Sequence, residues 1–220
     1  MRLLFILLLF LPRLAFGCEL ALVLAVDVSG SVDNREYQIQ MQGLGATLRD
    51  SIVEDALLDA QAMVTVVQWT GTSRQRQTIP WTRLQTPEDV QALASAIDND
   101  QRRWRNFSTA IGEAITVSAA LFDQVPGCRR KVIDVSGDGV SNEGETPADQ
   151  LGAMRAAGIT INALAIETDE TDLTAYFFEN LIVGDGAFVI TANGFEDYPE
   201  QIRRKLQRET TKQLSRLKKK

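Results

Sequence analysis

Seven apolar residues, LALVLAV at positions 20–26, stop abruptly at Asp27, and that junction limits what the chain can fold into. The run is too short for a typical helix and shows no polar alternation. It reads as a strand buried on both faces, the kind found in parallel sheets. Comparable runs recur as MVTVVQWT (63–70), KVIDVS (131–136) and ITINALAI (159–166), with shorter strands expected at 76–81, where Pro80 suggests an edge, and at 187–191. Helical patterns separate them. Tyr37, Met41, Leu44, Leu48 and Ile52 recur on one apolar helix face. Thr86-Pro87-Glu88-Asp89 and Thr146-Pro147 are helix starts, a hydroxyl cap followed by proline at the first helical position. Residues 109–122 and 172–180 read as further helices, and Phe195, Ile202 and Leu206 carry an apolar stripe into a C-terminal one. Strands alternating with helices predict an α/β fold: a single doubly wound, mostly parallel sheet with helices on both faces.

Composition agrees with one globular core, at 45% hydrophobic and 24% charged residues. Residues 1–17 read as a signal peptide: Arg2, an unbroken apolar stretch over 3–11, and small residues at Ala15 and Gly17 before Cys18. Pro12 and Arg13 interrupt the stretch well short of the roughly 20 residues of a membrane span. The expectation is an exported protein, periplasmic or secreted. A lipid anchor on Cys18 is the weaker alternative, because Ala-Phe-Gly is a poor lipoprotein signal. The folded domain is expected over 18–207, with 208–220 a basic helix end or tail. Losing Arg2 and Arg13 takes the formal net charge from −6 to −8, which argues against nucleic-acid binding. The basic end, running from Arg203 with Glu209 as its one acid, reads as a solvated helix end; weak contact with an anionic membrane is the sharper alternative.

In a sheet of this kind, ligands sit beyond the carboxyl ends of the strands, where strand order reverses. Asp27, Ser29 and Ser31 alternate in the loop after the first strand. Asp138 follows the strand at 131–136, and Thr109 precedes a helical stretch. Each alone reads as a turn or cap residue. Jointly, two carboxylates and three hydroxyls form an oxygen donor set suited to a hard divalent cation. Gly30 and Gly139 are expected to let the two loops bend.

Asp27-x-Ser29-x-Ser31, then Thr109, then Asp138-Gly139 resembles the metal-ion-dependent adhesion site of von Willebrand factor A-type domains. LALVLAVDVSGSV, MVTVVQWT and KVIDVSGDGVSNEG resemble that family's first, second and fourth strands with their loops. The closest likeness is to a group of secreted bacterial proteins of unassigned function. The resemblance implies one bound divalent cation, magnesium first, with manganese and calcium as alternatives. Ser29, Ser31 and Thr109 would bind it by their hydroxyls, and Asp27 and Asp138 directly or through water, with a coordination position left for a carboxylate from a protein or peptide partner. Neutral hydroxyl ligands leave the ion's charge poorly cancelled, which favours such an anion. The loop before Thr109 departs from the Gly-rich form common in the family, and its Trp104, Arg105 and Phe107 are candidate partner contacts. The family's strand order sets the first and fourth strands side by side. Cys18 and Cys128 would then share the end of the sheet opposite the metal and form a disulfide.

Rival functions are a metal-dependent or aspartyl-nucleophile hydrolase and a structural module of an envelope complex. A Ser-His-Asp hydrolase is excluded, since the chain has no histidine. The aspartyl phosphatases need an acid two residues after the nucleophile, and Ser29 stands there. A non-enzymatic binding module is the expectation.

Overall fold

In the computed structural model, residues 17–168 and 172–217 are described, with side chains described as far as Thr210. The expected signal peptide at 1–17 therefore lies outside the described residues except for Gly17, and so do the side chains of the basic tail from residue 211. Six strands form one sheet: β1 (Cys18–Asp27), β2 (Met63–Trp69), β3 (Gln75–Arg83), β4 (Cys128–Gly137), β5 (Ile159–Ile166) and β6 (Val189–Ala192), in the order β3-β2-β1-β4-β5-β6. All neighbours pair in parallel except β3, the antiparallel edge strand that carries Pro80. Strand order reverses between β1 and β4, so the cleft beyond their carboxyl ends is the natural place for a ligand.

β1 is buried on both faces, as its unbroken apolar run requires. Leu20, Leu22, Leu24 and Val26 enter one core, while Ala21, Val23 and Ala25 enter the other. Each large side chain so buried contributes on the order of 1.5–3 kcal/mol. The first core holds helices α1 (Asn34–Leu48), α2 (Ser51–Asp59), α3 (Pro87–Asp98) and α7 (Tyr198–Leu217) against the sheet. The second holds α4 (Ile111–Ala120), α5 (Pro147–Ala156) and α6 (Leu173–Asn180). None of the described helices is long and apolar enough to cross a membrane.

The sheet register brings Cys18 opposite Cys128, and the two form a disulfide with Cα atoms 4.5 Å apart. It closes a sequence separation of 110 residues, worth roughly 4–5 kcal/mol in the chain-entropy account. The bridge occupies the Cys18 sulfur, the atom a thioether-linked lipid would need.

Three expectations need correction. Ile52 does not share the α1 face and is 51% exposed. α1 ends at Leu48, and Asp50 restarts a separate helix by accepting from the N–H groups of Ile52 and Val53. Helix α4 is shorter than expected and gives way to a 3-10 turn at Leu121–Gln124. The C-terminal basic stretch is not uniformly solvated. Lys205 is wholly buried, with its Nζ 2.5 Å from Asp134 Oδ2 of β4 and 3.9 Å from Glu209 Oε2. Glu209 Oε1 in turn accepts from Asn162 Nδ2 of β5. Buried side chains thus continue to Thr210, past the domain edge expected at 207.

Candidate metal centre

The loops leaving β1 and β4 carry four of the five candidate oxygen ligands. Asp27, the last residue of β1, is fully buried, and its Oδ1 accepts the Ser29 N–H at 2.7 Å. That bond folds the loop back across the strand end. Ser29 Oγ then lies 3.2 Å from Ser31 Oγ, and Ser31 Oγ donates to Asp138 Oδ1 at 2.7 Å. Only Ser31 of these is exposed, so the cluster opens to solvent on its side.

Thr109 comes from a third segment. It does not cap α4: the cap position is Ala110, which makes no side-chain cap bond. The Thr109 backbone is instead clamped by the loop after Asp138. Its N–H donates to Asn142 Oδ1 at 2.9 Å, and its carbonyl accepts from Asn142 N at 2.9 Å and Ser141 Oγ at 3.3 Å. The buried Thr109 Oγ1 lies 3.9 Å from the point a Cβ on Gly139 would occupy. All five predicted residues therefore gather around the cleft between β1 and β4.

Two acids meet in this cluster, one of them fully buried. Burial, and after it the charge of Asp138, push the Asp27 carboxyl up to about 8, against hydrogen bonds from Ser29 and the charge of Arg102. Asp27 Oδ2 is buried without a hydrogen-bond partner among the described residues. An orphaned carboxylate oxygen beside a second acid is costly unless a positive charge compensates it. Two carboxylates with three hydroxyls match the hard oxygen ligands of magnesium-like ions. Among the described residues no three His, Cys, Asp or Glu side chains gather, so the candidate rests on this mixed set.

Glycines act here through close approach. A Cβ on Gly30 would stand 3.3 Å from Asn106 Cα and from the Phe107 carbonyl, which accepts the Gly30 N–H at 2.8 Å. A Cβ on Gly137 would stand 3.0 Å from Asp27 Oδ2. Neither Gly30 nor Gly139 has the left-handed backbone that a sharp bend would need.

Several further residues support the cluster, and of them only Glu143 stood out in the sequence, where it reads as loop solvation. Arg102 donates from one guanidinium nitrogen to the carbonyls of Val28 and Ser29, at 3.1 and 2.8 Å, and so braces the loop after β1. Gln40 of α1 donates to the Asp27 carbonyl at 3.4 Å. Gln68, at the end of β2, donates to Tyr37 and Asp100 and accepts the Arg103 N–H, fixing the 100–103 segment. Glu143 accepts from Thr72 N and Oγ1, which ties the β2–β3 loop to the loop after β4; those bonds hold its carboxyl below the usual range.

The three candidate partner contacts separate. Trp104 is half-buried and packs on the first core. Phe107 is 37% exposed and covered by the Arg74 guanidinium, 3.8 Å from its ring centroid. Arg105 is exposed and has no ion-pair partner among the described residues.

A family described as protein of unknown function (DUF1194) matches residues 17–214. Among curated proteins, none matches. Solved structures share the fold. Proximal thread matrix protein 1 from the mussel byssus is 18% identical with a TM-score of 0.68, over 86% of this chain and 47% of its own. A second structure of that protein, with a zinc-occupied MIDAS motif, gives 16% and 0.63 over 88% and 46%. A von Willebrand factor type A protein from Catenulispora acidiphila gives 21% and 0.60 over 86% and 42%. The pilus adhesin SpaC from Lactobacillus rhamnosus GG gives 12% and 0.63 over 87% and 30%. The chain thus spans less than half the length of each of these proteins.

Proposed function

The chain belongs to the family of proteins of unknown function DUF1194 and has a von Willebrand factor A-like fold, and from that premise we propose that it is an exported, metal-dependent binding module for a protein or peptide partner. The observation that carries this reading is the orphaned Asp27 Oδ2, buried beside Asp138 at the mouth of the β1/β4 cleft. Asp27, Ser29, Ser31, Thr109 and Asp138 would hold one divalent cation, magnesium first. When bound, the ion would supply an open coordination position and positive charge that its three hydroxyl ligands do not cancel, which favours a carboxylate from a partner. The chain's own contribution is positional. Ser29 N–H fixes one Asp27 oxygen, Arg102 holds the loop carbonyls, and Asn142 anchors Thr109. The zinc-occupied MIDAS of the byssus protein and the adhesin role in the SpaC name support the same class of function.

A binding role fits this site better than catalysis. Asp27 is fully buried, which ill suits a nucleophile that must reach a substrate. Export is supported by the Cys18–Cys128 disulfide, a bond that persists in oxidising compartments.

Calorimetric titration of magnesium, then manganese, into the metal-stripped mature chain tests the proposal, with Asp138→Ala as control. One equivalent bound by the wild type and none by the variant is the expected result. No binding of either ion to folded wild type would overturn it.

A further inference from the structure

The backbone entering α4 is satisfied by other segments. Thr109 N–H donates to Asn142 Oδ1 at 2.9 Å, Ala110 N–H to the Thr70 carbonyl at 3.1 Å, and Ile111 N–H to Ser141 Oγ at 3.2 Å. The Thr109 carbonyl takes three donors from one stretch: Asn142 N–H at 2.9 Å, Glu143 N–H at 3.3 Å and Ser141 Oγ at 3.3 Å. Ser141 N–H is in turn bonded to Tyr176 Oη of α6 at 3.3 Å. Residues 141–143 belong to the loop that leaves β4 through Asp138, so that loop grips both polar groups of the Thr109 main chain.

The Thr109 hydroxyl is released by this grip. A helix start leaves N–H groups without partners inside the helix, and a threonine beside it commonly spends its hydroxyl on one of them. The cap position of α4 is Ala110, which makes no side-chain bond. Ser141 and Asn142, 30 and 33 residues further along the chain, take the donors at 111 and 109 instead. Thr109 Oγ1 makes no hydrogen bond among the described residues, and it lies 3.9 Å from the point a Cβ on Gly139 would occupy, beside Asp138. We infer that Asn142 is a positioning residue of the candidate metal centre: its carboxamide frees the Thr109 hydroxyl for the ion and ties that hydroxyl to the loop bearing Asp138, so that the two ligands hold one geometry. Asn142 would not touch the ion; it acts through Thr109. The inference rests on the metal-site reading.

Asn142 is exposed, so replacing it opens no core. Three variants of the metal-stripped mature chain separate its roles. Asn142→Ala removes the accepting oxygen, Asn142→Gln displaces it by one methylene, and Asn142→Asp keeps it in place. Magnesium affinity is read by calorimetry, and exchange of the Thr109 amide hydrogen is read in chelator. Asn142→Ala and Asn142→Gln should each weaken magnesium binding about tenfold, the low end of what losing a contact behind a metal ligand costs. Both should also speed exchange at Thr109 without metal. Asn142→Asp should keep the slow exchange and most of the magnesium affinity. Its added charge is told apart by salt: at about 1 M, where screening acts within roughly 3 Å, a rescue by geometry persists and a rescue by charge fades. Wild-type affinity in folded Asn142→Ala overturns the inference. So does a failure of Asn142→Asp to rescue, or a rescue confined to low salt. Failure of the metal reading looks different: folded wild type itself binds no magnesium, and the inference falls with it.

Discussion

Lys205 Nζ lies 2.5 Å from Asp134 Oδ2 in the seam between helix α7 and strand β4, where both side chains are shut off from water. Glu209, one helical turn on, faces the same ammonium and bonds Asn162 of β5. Two carboxylates therefore share one lysine. Removing the lysine strands both acids, and breaking a buried pair in this way costs about 3–5 kcal/mol. Lys205→Met should lose stability on that scale in urea unfolding. Asp134→Asn leaves a one-to-one pair of Lys205 with Glu209 and should cost less than half as much. Equal losses in the two variants would show that charge balance does not govern the cluster.

The same cluster sets a pH dependence. Burial pushes the Asp134 carboxyl from its usual 3.8 up to about 7; the Glu209 charge adds to the shift and the Lys205 charge opposes it. Its pKa is higher in the folded than in the unfolded state, so the folded protein binds more protons between those values. The stabilisation is fully present below about pH 4 and is lost as pH rises through about 7. Wild type compared with Asp134→Asn, both in chelator so that the metal site cancels, should show a gap in unfolding free energy that narrows as pH rises across that window. A gap that widens instead would reverse the sign argued here.

The gathering of the oxygen cluster was legible because its residues lie at strand ends in fixed order. Asp27, Ser29, Ser31 and Asp138 follow two apolar runs directly, and strand adjacency then brings them together. Cys18 and Cys128 were legible through the same adjacency. The charged seam was not, because Lys205 and Glu209 sit in a basic stretch whose pattern is that of a solvated helix. A signal did exist on the other side of the contact. Asp134 and Asn162 interrupt runs that read as buried on both faces, and a buried polar side chain needs a partner. The Ile52 error has a local cause: helical spacing continues numerically across Asp50, while Asp50 itself breaks the helix by capping the next one. Arg102 acts through loop carbonyls, a contact that no spacing rule encodes.

The Cys18–Cys128 bridge joins the amino ends of β1 and β4, opposite the cleft that holds the candidate ligands. Cys128→Ser should cost about 2–5 kcal/mol in denaturant unfolding, the usual toll of losing a native disulfide from a secreted domain. Magnesium affinity should change little, since the β1–β4 register is also held by backbone pairing along its length. A large loss of ion binding in a folded Cys128→Ser protein would mean that the bridge sets the geometry of the distant cleft.

Gly137 is the tightest backbone approach to the candidate metal ligands. A methyl group there would stand 3.0 Å from Asp27 Oδ2 and 3.5 Å from Trp69 Cη2. The Gly137 backbone is not left-handed, so alanine adds no conformational strain of its own, and the cost falls on the carboxylate or on the strand. Gly137→Ala should weaken magnesium binding about tenfold or more, with a stability loss of about 1–3 kcal/mol from overpacking. Gly152, inside α5, is the control. A Cβ there meets nothing within 4 Å, and alanine should raise stability by roughly 0.5–1 kcal/mol while leaving the ion untouched. Wild-type magnesium affinity in Gly137→Ala would mean that Asp27 Oδ2, the oxygen on which the site was argued, takes no part in holding the ion.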